Sequence, residues 1–229
     1  DVCSSDLKDD KSTILAAYLK PFREGKREKA LPAAKLLMGS IVSNGATHLL
    51  TGENQTALTQ GYYSDYTKFS DSEAEAIRRY YDYMIRYENL FFDPELQDVT
   101  MTHTGWDNYE YQCTSHKVSS YGEAGKIWMI LREKDYRKCI YLLNLCGQSE
   151  DYWNEGKEEP NIQKDIKFTV QVDTPVEKIC FSTPDGENMD AIELSFTERA
   201  TKTGKFIDFT VPSLNYWTTI WIDTRKETI

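Results

Sequence analysis

An apolar run, a helical repeat and a second apolar run follow one another within the first fifty residues. This strand-helix-strand succession constrains the fold more than any other feature of the chain. Thr13 to Tyr18 (TILAAY) is almost wholly apolar and too short for a helix, and charged and proline-containing segments bound it. It reads as a strand buried on both faces. After Pro21 and the charged run Arg23 to Lys29, the residues Leu31, Ala34, Leu37, Met38, Ile41 and Val42 recur at helical spacing. Pro32 falls in the expected first turn and Asn44-Gly45 supplies the stop. Ala46 to Leu50 reads as a second short strand, parallel to the first because a helix joins them. Two parallel strands do not make a domain, since such a sheet needs both faces covered, so the sequence implies partners beyond this segment.

Asn44 to Gln55 ends the helix, runs through the second strand and opens into the polar loop Gly52-Glu53-Asn54-Gln55. In a parallel α/β barrel, loops at that end of a strand form the catalytic face. A polar, aromatic loop with Tyr62, Tyr63 and Tyr66 comes next. Then Ser70 and Glu73 match a capping box, with Phe69 at the hydrophobic-staple position. The following helix places Ala74, Ile77, Tyr81, Met84 and Ile85 on one face and should end before Pro94.

Past Pro94 the pattern changes to short β-rich runs: Lys126 to Leu131, Lys138 to Leu145, Ile166 to Val172, Lys178 to Ser182, Ala191 to Phe196, Phe206 to Val211 and Trp217 to Ile222. Arg132 to Tyr136 reads as a hairpin, while Thr183-Pro184-Asp185-Gly186 and Thr203-Gly204 mark later turns. Seven or eight short strands over roughly 130 residues fit an antiparallel β-sandwich. No internal repeat or low-complexity segment interrupts the chain.

A hydrophobic fraction of 40% with 13% aromatics over 229 residues argues for packed cores. The net charge of -10 disfavours nucleic acid and anionic membrane as partners and is compatible with a neutral substrate. The 15 tyrosines suit carbohydrate surfaces as well as ordinary cores. No run of about 18 apolar residues is present, so no membrane-spanning helix is expected. The cysteines Cys3, Cys113, Cys139, Cys146 and Cys180 lack CxxC or zinc-finger spacing and read as buried free thiols. Asp1 to Leu7 (DVCSSDL) is what the short-read sequencing adapter GACGTGTGCTCTTCCGATCT encodes in frame one. Residues 1–11 are therefore expected to be an adapter remnant and linker on a translated environmental fragment. An acylated lipoprotein Cys3 is disfavoured, because no apolar segment precedes it.

The succession TILAAY, KLLMGSIVSNGATHLLTGEN, YYDYMIRYENL, KIWMILREKDYRKCIYLLNL and FTVPSLNYWTTIWI resembles the C-terminal part of glycoside hydrolase family sixty-six. That family comprises dextranases and cycloisomaltooligosaccharide glucanotransferases. The resemblance covers nearly everything after Lys11 and rests on the order and spacing of these motifs together. It implies an α/β plus all-β chain: residues 12–95 as the last two βα units of a (β/α)8 TIM barrel, then residues 96–229 as an antiparallel β-sandwich domain. It further implies a secreted or cell-surface enzyme that cleaves α-1,6-glucan with retention, either as an endo-dextranase or as a cyclising transglycosylase. Such chemistry requires two carboxylates about 5 Å apart. The family's aspartate nucleophile and glutamate acid/base lie on earlier barrel strands, so no catalytic residue is assigned here and no metal or other cofactor is called for. A non-catalytic carbohydrate-binding protein is the reading from a different class.

Under the barrel reading, Tyr18 after the first strand and Thr51, Glu53 and Asn54 after the second are best placed to touch substrate, and Glu53 and Asn54 could hydrogen-bond sugar hydroxyls. A solvated or ion-paired Glu53 is the competing reading. His48 lies within the strand, where a neutral core histidine competes with a ligand contact. Tyr62, Tyr63 and Tyr66 either stack on a glucose ring or pack their loop on the rim. Trp128, Trp217 and Trp221 read as core residues, whereas Trp106 and Trp153 lie in loop-like sequence where an accessory glucan contact is conceivable. Asp151, Glu155, Glu158 and Glu159 read as a solvated acidic turn without calcium-loop spacing. No G-x-S-x-G elbow is present.

Overall fold

The computed structural model describes residues 12–25, 27–60, 67–104 and 108–225. The expectations for Cys3, residues 1–11, Tyr62, Tyr63, Tyr66 and Trp106 lie outside the described residues. Most of the regular structure is β-strand arranged in sheets, with few helices. The chain divides into two compact units, Asp1–Asp93 with Gly147–Pro160, and Pro94–Cys146 with Asn161–Ile229.

In the first unit, β1 (Ile14–Leu15) and β2 (Thr47–His48) pair in parallel and are joined by α1 (Arg27–Ser43). The helix ends as the sequence requires. Gly45 adopts φ +84° and donates to the Val42 carbonyl at 2.9 Å, while Ala46 donates to Ile41 at 3.1 Å. This is the paired bonding of a Schellman stop. Two expectations are corrected. Ile14 and Leu15 are 64% and 43% exposed rather than buried on both faces. Among the described residues β1 has one partner, β2, which covers one edge of the strand and neither of its faces. Pro32 lies in the second turn of α1 instead of the first, because the charged residues Arg27, Glu28 and Lys29 extend the helix towards the N-terminus. Pro32 cannot donate to the Glu28 carbonyl, and its ring loosens that turn. The neighbouring Lys29 carbonyl accepts the Lys157 N–H at 3.0 Å.

Beyond β2, the short strands β3 (Thr51–Gly52), β4 (Thr56–Ala57) and β5 (Thr67–Lys68) form an antiparallel sheet. Helix α2 (Asp71–Arg86) starts at the capping box read from the sequence, with Ser70 and Glu73 each bonding the other's backbone N–H. Its buried face is corrected: Ile77, Tyr80, Tyr83 and Met84 are buried, whereas Ile85 is 63% exposed. Tyrosine fits either environment, so the helical period alone leaves the facing angle open by about one residue. The four-residue α3 (Glu88–Phe91) completes the helical part before Pro94.

In the second unit, β6 (Gln97–Asp98) precedes the short helix α4 (Thr100–His103), and the strands then run β7 (Tyr111–Cys113), β8 (Val118–Ser119), β9 (Ile127–Lys134), β10 (Arg137–Asn144), β11 (Gln163–Val172), β12 (Val176–Ser182), β13 (Ile192–Leu194), β14 (Phe196–Thr201), β15 (Gly204–Leu214) and β16 (Trp217–Thr224). One sheet has the order β13-β12-β16-β10-β9-β6, with β8 sharing the outer edge of β9. The other has the order β14-β15-β11-β7. Among the described residues of this unit all pairs are antiparallel except β8 with β9, a departure from the wholly antiparallel expectation. Alternate residues of both sheets, among them Met129, Ile140, Phe168, Val170, Ile207, Phe209 and Ile220, meet in one buried cluster. The expected hairpin closes as a two-residue turn, with Lys134 opposite Arg137. Trp217 and Trp221 are buried as read, while Trp128 is half-buried and lies against Gly122. Strand β14 was not expected: FTERAT carries no apolar alternation, and its pairing with β15 from Phe196↔Phe209 to Thr201↔Gly204 makes it an edge strand. The described cysteines are free thiols, Cys139 and Cys180 buried and Cys113 and Cys146 half-buried.

Candidate functional site

Parallel pairing decides which end of the first unit gathers the polar groups. Because β1 and β2 run the same way, residues 16–20 and 49–55 leave the sheet at one end, and α1, running back, brings its N-terminus to that end too. Backbone bonds knit these exits together. Leu49 donates to the Leu15 carbonyl at 2.8 Å, Leu58 to Leu50 at 2.8 Å, and Leu19 to Leu58 at 3.2 Å.

His48 is buried at the base of this end. Its Nε2 lies 2.9 Å from the Ala17 carbonyl oxygen, which can only accept, so the imidazole proton sits on Nε2. Nδ1 is then a buried acceptor without a hydrogen-bond partner among the described residues. Burial pushes the His48 pKa below the ordinary histidine value, opposed by the Ala17 bond. Tyr81, which the sequence pattern places simply on an apolar face, has a second role: its hydroxyl donates to the His48 carbonyl at 2.7 Å and accepts the Leu50 N–H at 3.2 Å. Burial raises the phenol pKa, so the group stays protonated and can donate. Helical periodicity carries no signal for a hydroxyl that bridges two backbone groups of a distant strand.

Tyr18 is half-buried on the β1 exit, and Thr51, Glu53 and Asn54 are exposed on the β2 exit. The Glu53–Gln55 turn joins β3 to β4, held by the Thr56 hydroxyl donating to the Glu53 carbonyl at 2.6 Å and by Phe69 N–H donating to Gln55 at 2.9 Å. Asn54 and Gln55 both adopt left-handed backbone, at φ +55° and +58°. Two successive non-glycine residues there are uncommon, and such strain persists where surrounding bonds impose it, often at ligand-contacting loops. The structure thus brings Tyr18, His48, Thr51, Glu53 and Asn54 to one end of the unit, His48 as a buried brace and the others within reach of solvent.

Arg27, at the N-terminus of α1, ties this end to α2. Its guanidinium bonds the Glu73 carboxylate, donates to the Lys68 carbonyl at 2.9 Å and to Phe22 at 3.2 Å, and lies over the Phe22 ring. The Gly147–Pro160 loop reaches the same end. Glu155 pairs with Lys20 just past the β1 exit, and Glu158 pairs with Lys29 at 2.5 Å. The acidic turn read as solvated is therefore ion-paired at two of its four carboxylates. Sequence distance hid this, since Lys20 and Glu155 lie 135 residues apart.

A separate cleft of about 530 Å³ lies in the strand-rich unit, lined by Glu133, Lys134, Tyr136, Arg137, Lys138 and Asp173 among others. Its charges are largely paired, Lys138 with Glu133 at 2.8 Å and Arg137 with Asp223 at 2.6 Å. No group of three or more His, Cys, Asp or Glu side chains suited to a metal occurs among the described residues. No described helix is long and apolar enough to cross a membrane.

Two cycloisomaltooligosaccharide glucanotransferases of Niallia circulans are 28% and 26% identical over 193 and 191 residues, covering 83% and 82% of this chain. This chain spans about a fifth of each relative, 19%. The crystal structure of a Paenibacillus sp. cycloisomaltooligosaccharide glucanotransferase complexed with cycloisomaltoheptaose matches 82% of this chain and 27% of its own, at 23% identity and a TM-score of 0.73, a likeness of fold. Residues 3–221 match the profile of Glycosyl hydrolase family 66, so the chain belongs to that family.

Proposed function

We propose that residues 12–95 are the last two βα units of a (β/α)8 catalytic barrel and that residues 96–229 form the β-sandwich domain that follows it in sequence, in an enzyme that acts on α-1,6-glucan with retention. The observation that carries this reading is the convergence of the β1 and β2 exits, where Tyr18, Thr51, Glu53 and Asn54 present polar groups at the C-terminal ends of parallel strands. In this reading Glu53 and Asn54 position sugar hydroxyls and Tyr18 borders the cleft. The nucleophile and the acid/base sit on strands outside this segment, and the segment alone is inactive. Retention needs those two carboxylates about 5 Å apart. A fixed Glu53–Gln55 turn favours the reaction by holding a substrate group without further ordering.

The relatives' names favour cyclising transfer over hydrolysis as the outcome of the second displacement. Polymeric glucan does not cross a membrane, which supports a secreted or cell-surface location. The test uses a longer protein that includes the remaining barrel strands, incubated with dextran. Cyclic isomaltooligosaccharides separated by chromatography support glucanotransferase action, and linear isomalto-oligosaccharides support the dextranase form. A folded longer protein that cleaves no glycosidic bond in dextran refutes the reading.

A further inference from the structure

Tyr152 and Trp153 are adjacent and 67% and 52% exposed, so two large aromatic side chains share one exposed stretch of loop. Their loop is held from within by a closed set of bonds. The Tyr152 N–H donates to Glu150 Oε2 at 2.6 Å, and its carbonyl accepts from Lys157 Nζ at 2.5 Å. The same ammonium bonds Glu150 Oε1 at 2.6 Å. Lys157 is buried, so this charge is spent on fixing the Tyr152 backbone. The loop is also pinned from outside by Lys20 and Lys29, and at Gly156 a Cβ would fall 2.7 Å from the Lys29 Cβ, leaving room for glycine alone. Those anchors lie at the β1 exit and the N-terminal turn of α1, the end where Tyr18, Glu53 and Asn54 are gathered.

We infer that Tyr152 and Trp153 form an aromatic subsite that stacks on glucosyl rings of a glucan chain at this end of the unit. The inference rests on the glucan reading given above. Ring faces attract the C–H faces of a pyranose, and a pre-ordered loop forfeits little entropy when sugar binds. Asp151, exposed and next to Tyr152 in sequence, carries a carboxylate that can accept from sugar hydroxyls. The acidic surroundings favour a neutral ligand over a polyanion.

The experiment is calorimetric titration of the full 229-residue chain with isomaltoheptaose, using wild type, Trp153→Ala, Tyr152→Ala and Trp153→Phe. Maltoheptaose serves as a second probe, and thermal unfolding shows that the exposed substitutions leave the fold intact. The expected result is an affinity about tenfold weaker in Trp153→Ala and Tyr152→Ala, with a smaller loss in Trp153→Phe, which keeps a ring. Equal affinity in wild type and both alanine variants, or no binding by wild type at millimolar sugar, overturns the inference even where the longer enzyme cleaves dextran. Binding of maltoheptaose alone, still lost on Trp153→Ala, keeps the aromatic subsite and counts against the α-1,6 reading instead.

Discussion

Replacing Tyr81 by Phe removes one oxygen atom and leaves the ring in place, so it isolates the hydroxyl that joins α2 to the end of β2. In the wild type that oxygen donates to the His48 carbonyl at 2.7 Å and accepts the Leu50 N–H at 3.2 Å. Leu50 is fully buried, and without the hydroxyl its N–H loses this acceptor in a place water does not reach. An ordinary hydrogen bond contributes about 0.5–1.5 kcal/mol net, and an orphaned buried group costs about 1–3 kcal/mol. The loss of one donor and one acceptor with no cavity formed gives an expected destabilisation of about 2–3 kcal/mol. For a unit of this size that lowers the melting temperature by roughly 10 °C or more. Urea denaturation followed by far-UV circular dichroism measures the free energy, and amide exchange at Leu50 reports the local opening. A change below about 0.5 kcal/mol with unaltered Leu50 protection would refute the bridging role.

Two further outcomes follow from perturbed ionisations. The His48 pKa is depressed in the folded chain, so between that value and the ordinary histidine pKa of about 6.5 the unfolded chain binds more protons than the folded one. Stability is therefore complete above about pH 6.5 and declines as pH falls through that window; urea midpoints measured against pH should show this slope, and His48→Gln should flatten it. The Cys139 thiol is buried and pushed up to about 12, so mapping by mass spectrometry after treatment with a thiol-specific reagent at about pH 8 should find it unmodified in the native chain and modified in denaturant.

Signals that are local in sequence were legible, and contacts made across the fold were not. The Ser70–Glu73 capping box and the Asn44-Gly45 stop each involve residues a few positions apart, and both formed as read. The hairpin after β9 was legible for the same reason. Family membership was legible in the motif order, and the common end at which the chain leaves β1 and β2 followed from parallel pairing alone. Strand β14 was hidden because an edge strand needs no apolar face, only the hydrogen bonds of β15. The Tyr80 and Tyr83 face of α2 was hidden because a tyrosine period suits core and surface alike. Nothing in GKEEP or its neighbours announces that Lys157 is buried, since its partners Glu150 and the Tyr152 carbonyl are recognisable only once the loop has closed.

That loop also changes where the strand-rich unit should be cut. The Asn161 N–H donates to the Cys146 carbonyl at 2.9 Å, and Asn144 Nδ2 donates to the Asn161 carbonyl at 2.9 Å, so the two ends of Gly147–Pro160 meet within hydrogen-bond distance. A link of about three residues can then replace the fourteen of the loop without moving β10 or β11. Shortening a closed loop from fourteen to about three residues lowers its closure entropy cost by roughly 1.4 kcal/mol, from (3/2)RT times the logarithm of the length ratio. The bonds of Lys157 to Glu150 and of Gln148 to Glu158 both lie inside the excised segment and go with it. Residues 94–229 carrying a Gly-Asn-Gly link in place of 147–160 should therefore unfold in one cooperative step and be about 1 kcal/mol more stable than residues 94–229 with the loop intact, as read by urea denaturation. A fall of more than about 2 kcal/mol, or a transition that broadens and splits, would mean that the strands depend on the loop and that the cut is misplaced.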